Sequence, residues 1–309
     1  MESNALESGA ESNALEEWLP RCTFPSGSLR CGVSGGADSL ALMALARAAG
    51  CLVTAVHVDH GVRPDGHLEA ARVAQYAEEI GAEFVSATLE VEDGPNLEAR
   101  MRAARYAELG LHAATGHTAD DQAETVLINL MRGAGLTGLG AMQPGPRRPI
   151  LSLRRSDTEA VCAALGWEPI VDPSNTDGRF TRNRVRHELM PLLNEISGRD
   201  VVPLLHRSAG HARDAADVLT SHADALDPTD ARALVASPAP IAALAVQRWI
   251  RKETGDEHPI DSASVERVLA VARCEALAAE VSGGHRVART AQRLSISLRG
   301  SSWVRTLSD

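Results

Sequence analysis

A chain of 309 residues with 44% apolar content can bury a sizeable core, and it suggests one large and one smaller domain. No run of 18 apolar residues and no basic-then-apolar leader is present, which argues against membrane insertion and export and predicts a soluble, cytoplasmic protein. The net charge of −10 argues at first against a nucleic-acid partner, and the five cysteines (Cys22, Cys31, Cys51, Cys162, Cys274) form no CxxC pair, which predicts reduced thiols rather than a disulfide frame or a zinc site.

Residues 1–20 carry five glutamates and no base, with Glu-Ser-Asn-Ala-Leu-Glu at 2–7 and again at 11–16, and read as an acidic N-terminal extension. From about residue 21, apolar runs alternate with amphipathic ones. The pattern predicts strands at 29–33, 52–58, 83–89 and 111–115, and helices at 39–49, 66–80, 96–110 and 119–132. Such alternation implies parallel βαβ units, with ligands at the carboxyl ends of the strands. A glycine- and proline-rich loop at 133–149 leads to a helix near 156–165. Helices are then predicted at 182–196, 200–226, 229–236, 240–254 and 261–280, and a short hairpin over Val287 to Leu298. The expected organisation is an α/β Rossmann-like domain over 21–205 and a smaller, mainly helical domain over 206–309.

The first chemistry-bearing segment is Ser34-Gly35-Gly36-Ala37-Asp38-Ser39, between a predicted strand and a predicted helix. A strand, a glycine turn and a helix N-terminus together present backbone N–H groups to an anion. No Gly-Lys-Ser/Thr follows, so the segment is not the Walker phosphate loop. A second segment, His57-Val58-Asp59-His60-Gly61-Val62-Arg63, ends the next strand with side chains suited to a nucleotide-facing edge. A third, Gly116-His117-Thr118-Ala119-Asp120-Asp121-Gln122-Ala123-Glu124-Thr125, places three carboxylates within five residues. Helix capping explains one of them. Asp121 and Glu124, at i and i+3, share a face that suits a cationic amine or a metal, whereas Asp120 lies on another face, freer for Mg²⁺ or nucleotide.

Positive charge is grouped despite the negative total. Arg132, Arg147, Arg148, Arg154 and Arg155 fall in an acid-free stretch, and Arg179, Arg182, Arg184, Arg186 and His187 form a second block. Blocks of this kind suit a phosphate backbone.

In order and spacing these segments resemble tRNA(Ile)-lysidine synthetase, of the pyrophosphate-loop ATP pyrophosphatases. The resemblance also takes in Asn96-Leu97-Glu98-Ala99-Arg100 with Arg105-Tyr106, Arg132-Gly133, Arg148-Pro149-Ile150-Leu151, Asp172-Pro173-Ser174-Asn175 and Arg182-Asn183-Arg184-Val185-Arg186, and it spans roughly residues 29–195. It implies an adenine-nucleotide hydrolase-like fold. It also implies adenylation of the wobble cytidine in the CAU anticodon by ATP with Mg²⁺, then displacement of AMP by free L-lysine. ATP would lie against Ser34 to Ser39, His57, Asp59, Gly116 and His117. Asp38 and Asp120 would take metal, and Asp121 and Glu124 would take lysine. Arg100 would serve phosphate or the adenylated base, and Arg148, Arg182 and Arg186 the tRNA. A tRNA thiolation enzyme would carry a CxxC pair, and synthesis of NAD or GMP explains neither the arginine blocks nor the His57–Arg63 cluster. A non-catalytic tRNA binder would be expected to lack the carboxylates. The sequence leaves homodimer formation open.

Overall fold

The computed structural model describes residues 15–59, 66–88, 100, 104, 107–110, 112–172, 177–255 and 260–298. Contacts divide the chain into two units, Met1–His211 and Ala212–Asp309.

The first unit is built on a parallel sheet of β1 (Ser28–Gly32), β2 (Leu52–Asp59), β3 (Glu83–Thr88) and β4 (Ala114–Thr115), in the order β3-β2-β1-β4. The expected parallel α/β architecture is therefore present. Gly32 at the end of β1 is in register with Val56 on one side and Thr115 on the other. The chain steps outward from β1 to β3 and then returns to the opposite side of β1. The order therefore reverses between β1 and β4, and in such sheets ligands bind at the carboxyl ends of the strands that flank the reversal.

Helix α1 (Ala37–Ala48) follows β1, and Leu40, Leu42, Met43 and Leu45 on it are fully buried. Its sequence lacks a polar stripe because both sides are covered, by the sheet and by α5 (Arg155–Ala164). Each such side chain contributes roughly 1.5–3 kcal/mol through burial. Leu15 and Trp18 join the same core, so the acidic extension expected over 1–20 is packed against the domain from Leu15 onward.

Helix α2 (Gly66–Glu79) links β2 to β3, α3 (Ala119–Met131) follows β4, and a single turn, α4 (Leu136–Leu139), interrupts the glycine-rich loop. The helix expected at 96–110 lies mostly outside the described residues, as do His60 to Arg63. After α5 comes α6 (Thr181–Arg184), which runs through a π-turn at Val185–Leu189 into α7 (Met190–Ser197). Val185 and Met190 pack with Ala119, Ala123 and Leu127, which docks this segment on α3. Helix α8 (Val202–Asp224) contains the boundary between the two units.

The second unit contains α9 (Ala231–Ala236), α10 (Ala239–Thr254), α11 (Ser262–Ala272) and an antiparallel sheet of β5 (Ala278–Val281), β6 (His285–Thr290) and β7 (Arg293–Leu298). The hairpin expected over Val287 to Leu298 corresponds to β6 and β7. The helix expected at 261–280 is too long. It ends at Ala272, Cys274 takes a positive φ of 66°, and the rest becomes β5, paired with β6. Ala279, Val281, Val287 and Leu294 bury against α10 and α11, and that tertiary burial overrides the helical pattern of an alanine-rich segment.

Candidate active site

The segment Ser34–Ser39 forms the turn between β1 and α1. Gly35 has φ +89°, a conformation that side-chain-bearing residues rarely adopt, and a Cβ there would run into Ile170. Gly36 is the N-cap, so the first N–H groups of α1, at Ala37 and Asp38, lie where no preceding turn can accept them. Ser39 closes the turn from within: its Oγ accepts from Ser34 N at 3.1 Å and donates to Gly36 O at 2.9 Å. Ser39 is thus a brace of the turn in this conformation.

Two neighbouring strands press on that turn. The buried His57 at the end of β2 sets Nδ1 2.8 Å from the Val33 carbonyl, which requires its Nδ1–H tautomer. It supports the turn from below, and Asp59 lies at the same strand end. Beyond β4, a Cβ on Gly116 would meet the Asp38 carbonyl oxygen at 2.5 Å and Ser39 N at 2.9 Å. Only glycine allows this approach of two backbones. His117 follows, its Nδ1 2.7 Å from Thr115 Oγ1. From α2, Tyr76 stacks on Trp167 with ring centroids 4.7 Å apart, and the following strap reaches the loop, where Ile170 N donates to Gly35 O at 2.9 Å. Gly116→Ala is expected to displace the start of α1, lowering the melting temperature and cutting pyrophosphate release by on the order of 10²-fold, the scale of a 1 Å misplacement. Scanning calorimetry and a pyrophosphate assay check this; wild-type values in both would show that the two backbones can separate.

The carboxylates meet arginines rather than open space. Asp38 Oδ1 accepts from Thr158 Oγ1 at 2.5 Å, and Oδ2 lies 3.7 Å from Arg155 Nε. Burial pushes the Asp38 carboxyl up to about 6, against the hydrogen bond from Thr158, with the nearby Asp121 raising it further. Asp121 Oδ2 accepts from Thr118 N at 2.9 Å, closing a capping box, while its Oδ1 faces Arg155 Nη2 and Arg186 Nη2, each at 3.4 Å. Glu124 is 2% exposed and receives Arg186 bidentately, at 2.6 and 3.1 Å, with Arg182 at 3.6 Å and Arg155 at 3.7 Å. Asp121 and Glu124 therefore do share a site, next to Asp38 through Arg155.

Two expectations need correction. Asp120 does not stand freer for a metal. Its two oxygens accept from Arg154 Nε at 3.0 Å, Arg154 Nη2 at 3.1 Å and Arg155 N at 2.9 Å, and Arg154 also pairs with Asp200. Burial raises the Asp120 carboxyl, but these donors outweigh it and hold it below the usual range. Nor does Arg186 present a cation to a surface polymer, because its guanidinium is turned inward onto Glu124. The arginine blocks likewise do not act as single surfaces: Arg154 and Arg155 neutralise acids within the site. Arg182 remains 45% exposed while donating to Thr125 Oγ1 at 3.1 Å, and Arg148 is half-buried. Arg100 is exposed and helical.

A PP-loop domain model matches residues 10–193. The tRNA(Ile)-lysidine synthase of Nocardia farcinica is 40% identical over 247 residues, which cover 74% of this chain and 77% of that protein. The chain belongs to the tRNA(Ile)-lysidine synthase family. The family member of Mycolicibacterium paratuberculosis is 40% identical over 71% of this chain and 72% of its own length. That of Rhodococcus erythropolis is 43% identical over 63% and 62%. In this member of the tRNA(Ile)-lysidine synthase family, α5 is the element that the sequence reading did not assign to the site. It supplies Arg155 and Thr158, directly after Arg154. Arg154 and Arg155 were visible as part of a basic stretch, whereas Thr158 carries no sequence signal.

Among the described residues, Asp38 is of a type that fits a Mg²⁺ ion. Mg²⁺ sites commonly use one or two carboxylates together with substrate phosphates. Asp38, beside the N-terminus of α1, has that chemistry, with one oxygen 3.7 Å from Arg155, whereas both oxygens of Asp120 accept closer hydrogen bonds from Arg154 and Arg155. Among the described residues, no group of three or more His, Cys, Asp or Glu side chains is placed to hold a metal by itself.

Proposed function

We infer that this chain is a ligase that forms lysidine on tRNA(Ile) at the expense of ATP, in the two steps that its site residues suit. The supporting observation is Arg155, which touches Asp38 beside the glycine turn and both Asp121 and Glu124 on α3. One guanidinium thus joins an anion-binding turn to a carboxylate pair, and the two half-reactions need these two features side by side.

In the first step the cytidine C2 oxygen attacks the α-phosphorus of ATP and pyrophosphate leaves. The N–H groups opening α1 face the charge that develops on the departing oxygens, and they are fixed before the reaction by Ser39, His57 and Gly116. Mg²⁺, when bound, adds positive charge at the same place, with Asp38 as its protein ligand. Arg100 is proposed for phosphate or the adenylated base. In the second step the lysine side-chain amine displaces AMP. The lysine is placed at Asp121 and Glu124, where it exchanges with guanidinium groups that already occupy those oxygens. The tRNA carries a CAU anticodon, and its backbone is assigned to Arg148 and Arg182. Among the described residues no helix is long and apolar enough to cross a membrane.

A second role for the carboxylate pair is favoured by the bidentate Glu124–Arg186 bond: these acids could serve to hold arginines toward the anionic leaving group. Mass spectrometry of tRNA(Ile) incubated with protein, ATP and lysine tests the whole reading. Omission of lysine is expected to give adenylated tRNA, and omission of ATP unmodified tRNA. An ATP-independent product, or none with all three present, would overturn it.

A further inference from the structure

Asp38 and Thr158 are separated by 120 residues and meet at 2.5 Å. Thr158 lies on the second turn of α5 and is fully buried. A buried helical threonine ordinarily returns its hydroxyl to the carbonyl one turn back, and Thr158 Oγ1 is indeed 2.8 Å from Arg155 O. Here the same hydroxyl also reaches across to a carboxylate on another helix. It carries a single proton, and the contact with Asp38 is the shorter. Asp38 Oδ1 is therefore turned toward α5, while Oδ2 lies on the side of Arg155, whose guanidinium also faces the Asp121–Glu124 pair. Arg155, one turn earlier on α5, stands by the other oxygen at 3.7 Å, whereas the neighbouring Arg154 is occupied by Asp120 and Asp200, and Asp157 by Arg21.

We propose that Thr158 is a positioning residue for adenylation, its hydroxyl fixing the rotamer of Asp38 so that Oδ2 is left for the Mg²⁺ that would accompany the departing pyrophosphate. The proposal rests on the role of Asp38 given above and extends it to the residue that hydrogen-bonds Asp38 from α5. A carboxylate at the second helical position has several open rotamers, and without an anchor its free oxygen would sample more than one direction. The anchor must also be rigid. Thr158 has a β-branched side chain with few rotamers, and α5 is pinned to α1 along its length, including Cys162 Sγ against the Ala37 carbonyl at 3.6 Å.

The test compares Thr158→Val, which keeps the shape and removes the hydroxyl, with Thr158→Ser, which keeps the hydroxyl and removes the methyl. Pyrophosphate release with saturating tRNA is expected to lose about 10- to 100-fold in kcat for the valine variant, with the KM for ATP moving less than about threefold, and the serine variant is expected to return to within about threefold of wild type. A readout independent of turnover is urea unfolding of the free protein. Thr158→Val should lower the midpoint less in an Asp38→Ala background than in the wild type, because alanine leaves the Thr158 hydroxyl no carboxylate to lose. Thr158→Ala replaces the valine variant should that one fail to fold. Equal impairment of the valine and serine variants, or equal midpoint losses in both backgrounds, would overturn the proposal and leave Thr158 a packing residue. An active Asp38→Asn protein would instead remove the role of Asp38 on which it stands.

Discussion

Asp38→Asn is expected to abolish pyrophosphate release and, at neutral pH, to make the protein more stable. The first half follows from the position of the carboxylate beside the N–H groups that open α1. The second follows from its titration. Burial, the largest cause, lifts the folded-state value to about 6, whereas an unfolded aspartate keeps its ordinary value near 4. A group raised on folding contributes stability below its unfolded value, and that contribution is lost as the pH rises through the folded one. Ionised Asp38 therefore costs stability above pH 6, by about 3 kcal/mol for a shift of roughly two units. Asparagine keeps an oxygen for Thr158 and removes the charge. Urea unfolding of the two proteins should give similar stabilities near pH 4 and a gap in favour of the variant near pH 7.5. Asp120, Asp157 and Asp227 are held low and shift stability in the opposite sense, but they are common to both proteins and cancel in the difference. A gap that does not change with pH would show that the carboxylate is not desolvated. Wild-type pyrophosphate release by the variant would remove it from the first step.

The second large effect concerns Glu124, which is nearly inaccessible and holds Arg186 at 2.6 Å. Glu124→Gln takes away the bidentate partner of that guanidinium and leaves it Asp121 at 3.4 Å, so the expected loss lies at or below the roughly 3–5 kcal/mol of breaking a fully buried pair. Adding Arg186→Met should recover much of the loss, because the stranded charge is then gone. Asp121→Asn is the milder change, since an amide oxygen can still accept from Thr118 N and preserve the cap. This variant is the one that separates the two chemical steps. If Asp121 recognises lysine, adenylation survives while the lysine requirement rises about tenfold or more, for a charged hydrogen bond of roughly 1.5–3 kcal/mol. Pyrophosphate release and lysine incorporation measured on the same protein decide the matter. Loss of both in a protein that unfolds cooperatively would assign Asp121 and Glu124 to holding Arg155 and Arg186. A Glu124→Gln protein as stable as wild type would mean that the pair is solvated.

Much of the fold could be read from local pattern. The alternation of apolar strands with helices at 39–49 and 66–80, the glycine turn between them and the acid-rich start of the helix at 119 are each written in a few consecutive residues. Backbone chemistry makes them legible: glycine at a left-handed turn, an N-cap before an apolar run and period-two or period-3.6 burial need no distant partner. Asp38, Asp121 and Glu124 were singled out on the same basis, and they do lie near one another. The reading failed where the deciding partner was remote. Asp120 looked freer because its helical face differs from that of Glu124, yet Arg154, 34 residues on, takes both its oxygens. Arg186 looked like a surface base, but the π-turn and the packing of Val185 on α3 turn it inward to a carboxylate 62 residues earlier.

The sequence by itself determined the parallel α/β plan, the glycine turn at Ser34–Ser39 and the types of side chain gathered at the strand ends, because those depend on neighbours in the chain. Only the tertiary structure decided which charges pair. It placed α5 against α1, gave Thr158 to Asp38 and set Arg155 between Asp38 and the Asp121–Glu124 pair. The physical reason is desolvation: a buried charge must find an opposite charge or a donor, and which one it finds depends on the helix packed beside it rather than on the residues next to it in sequence.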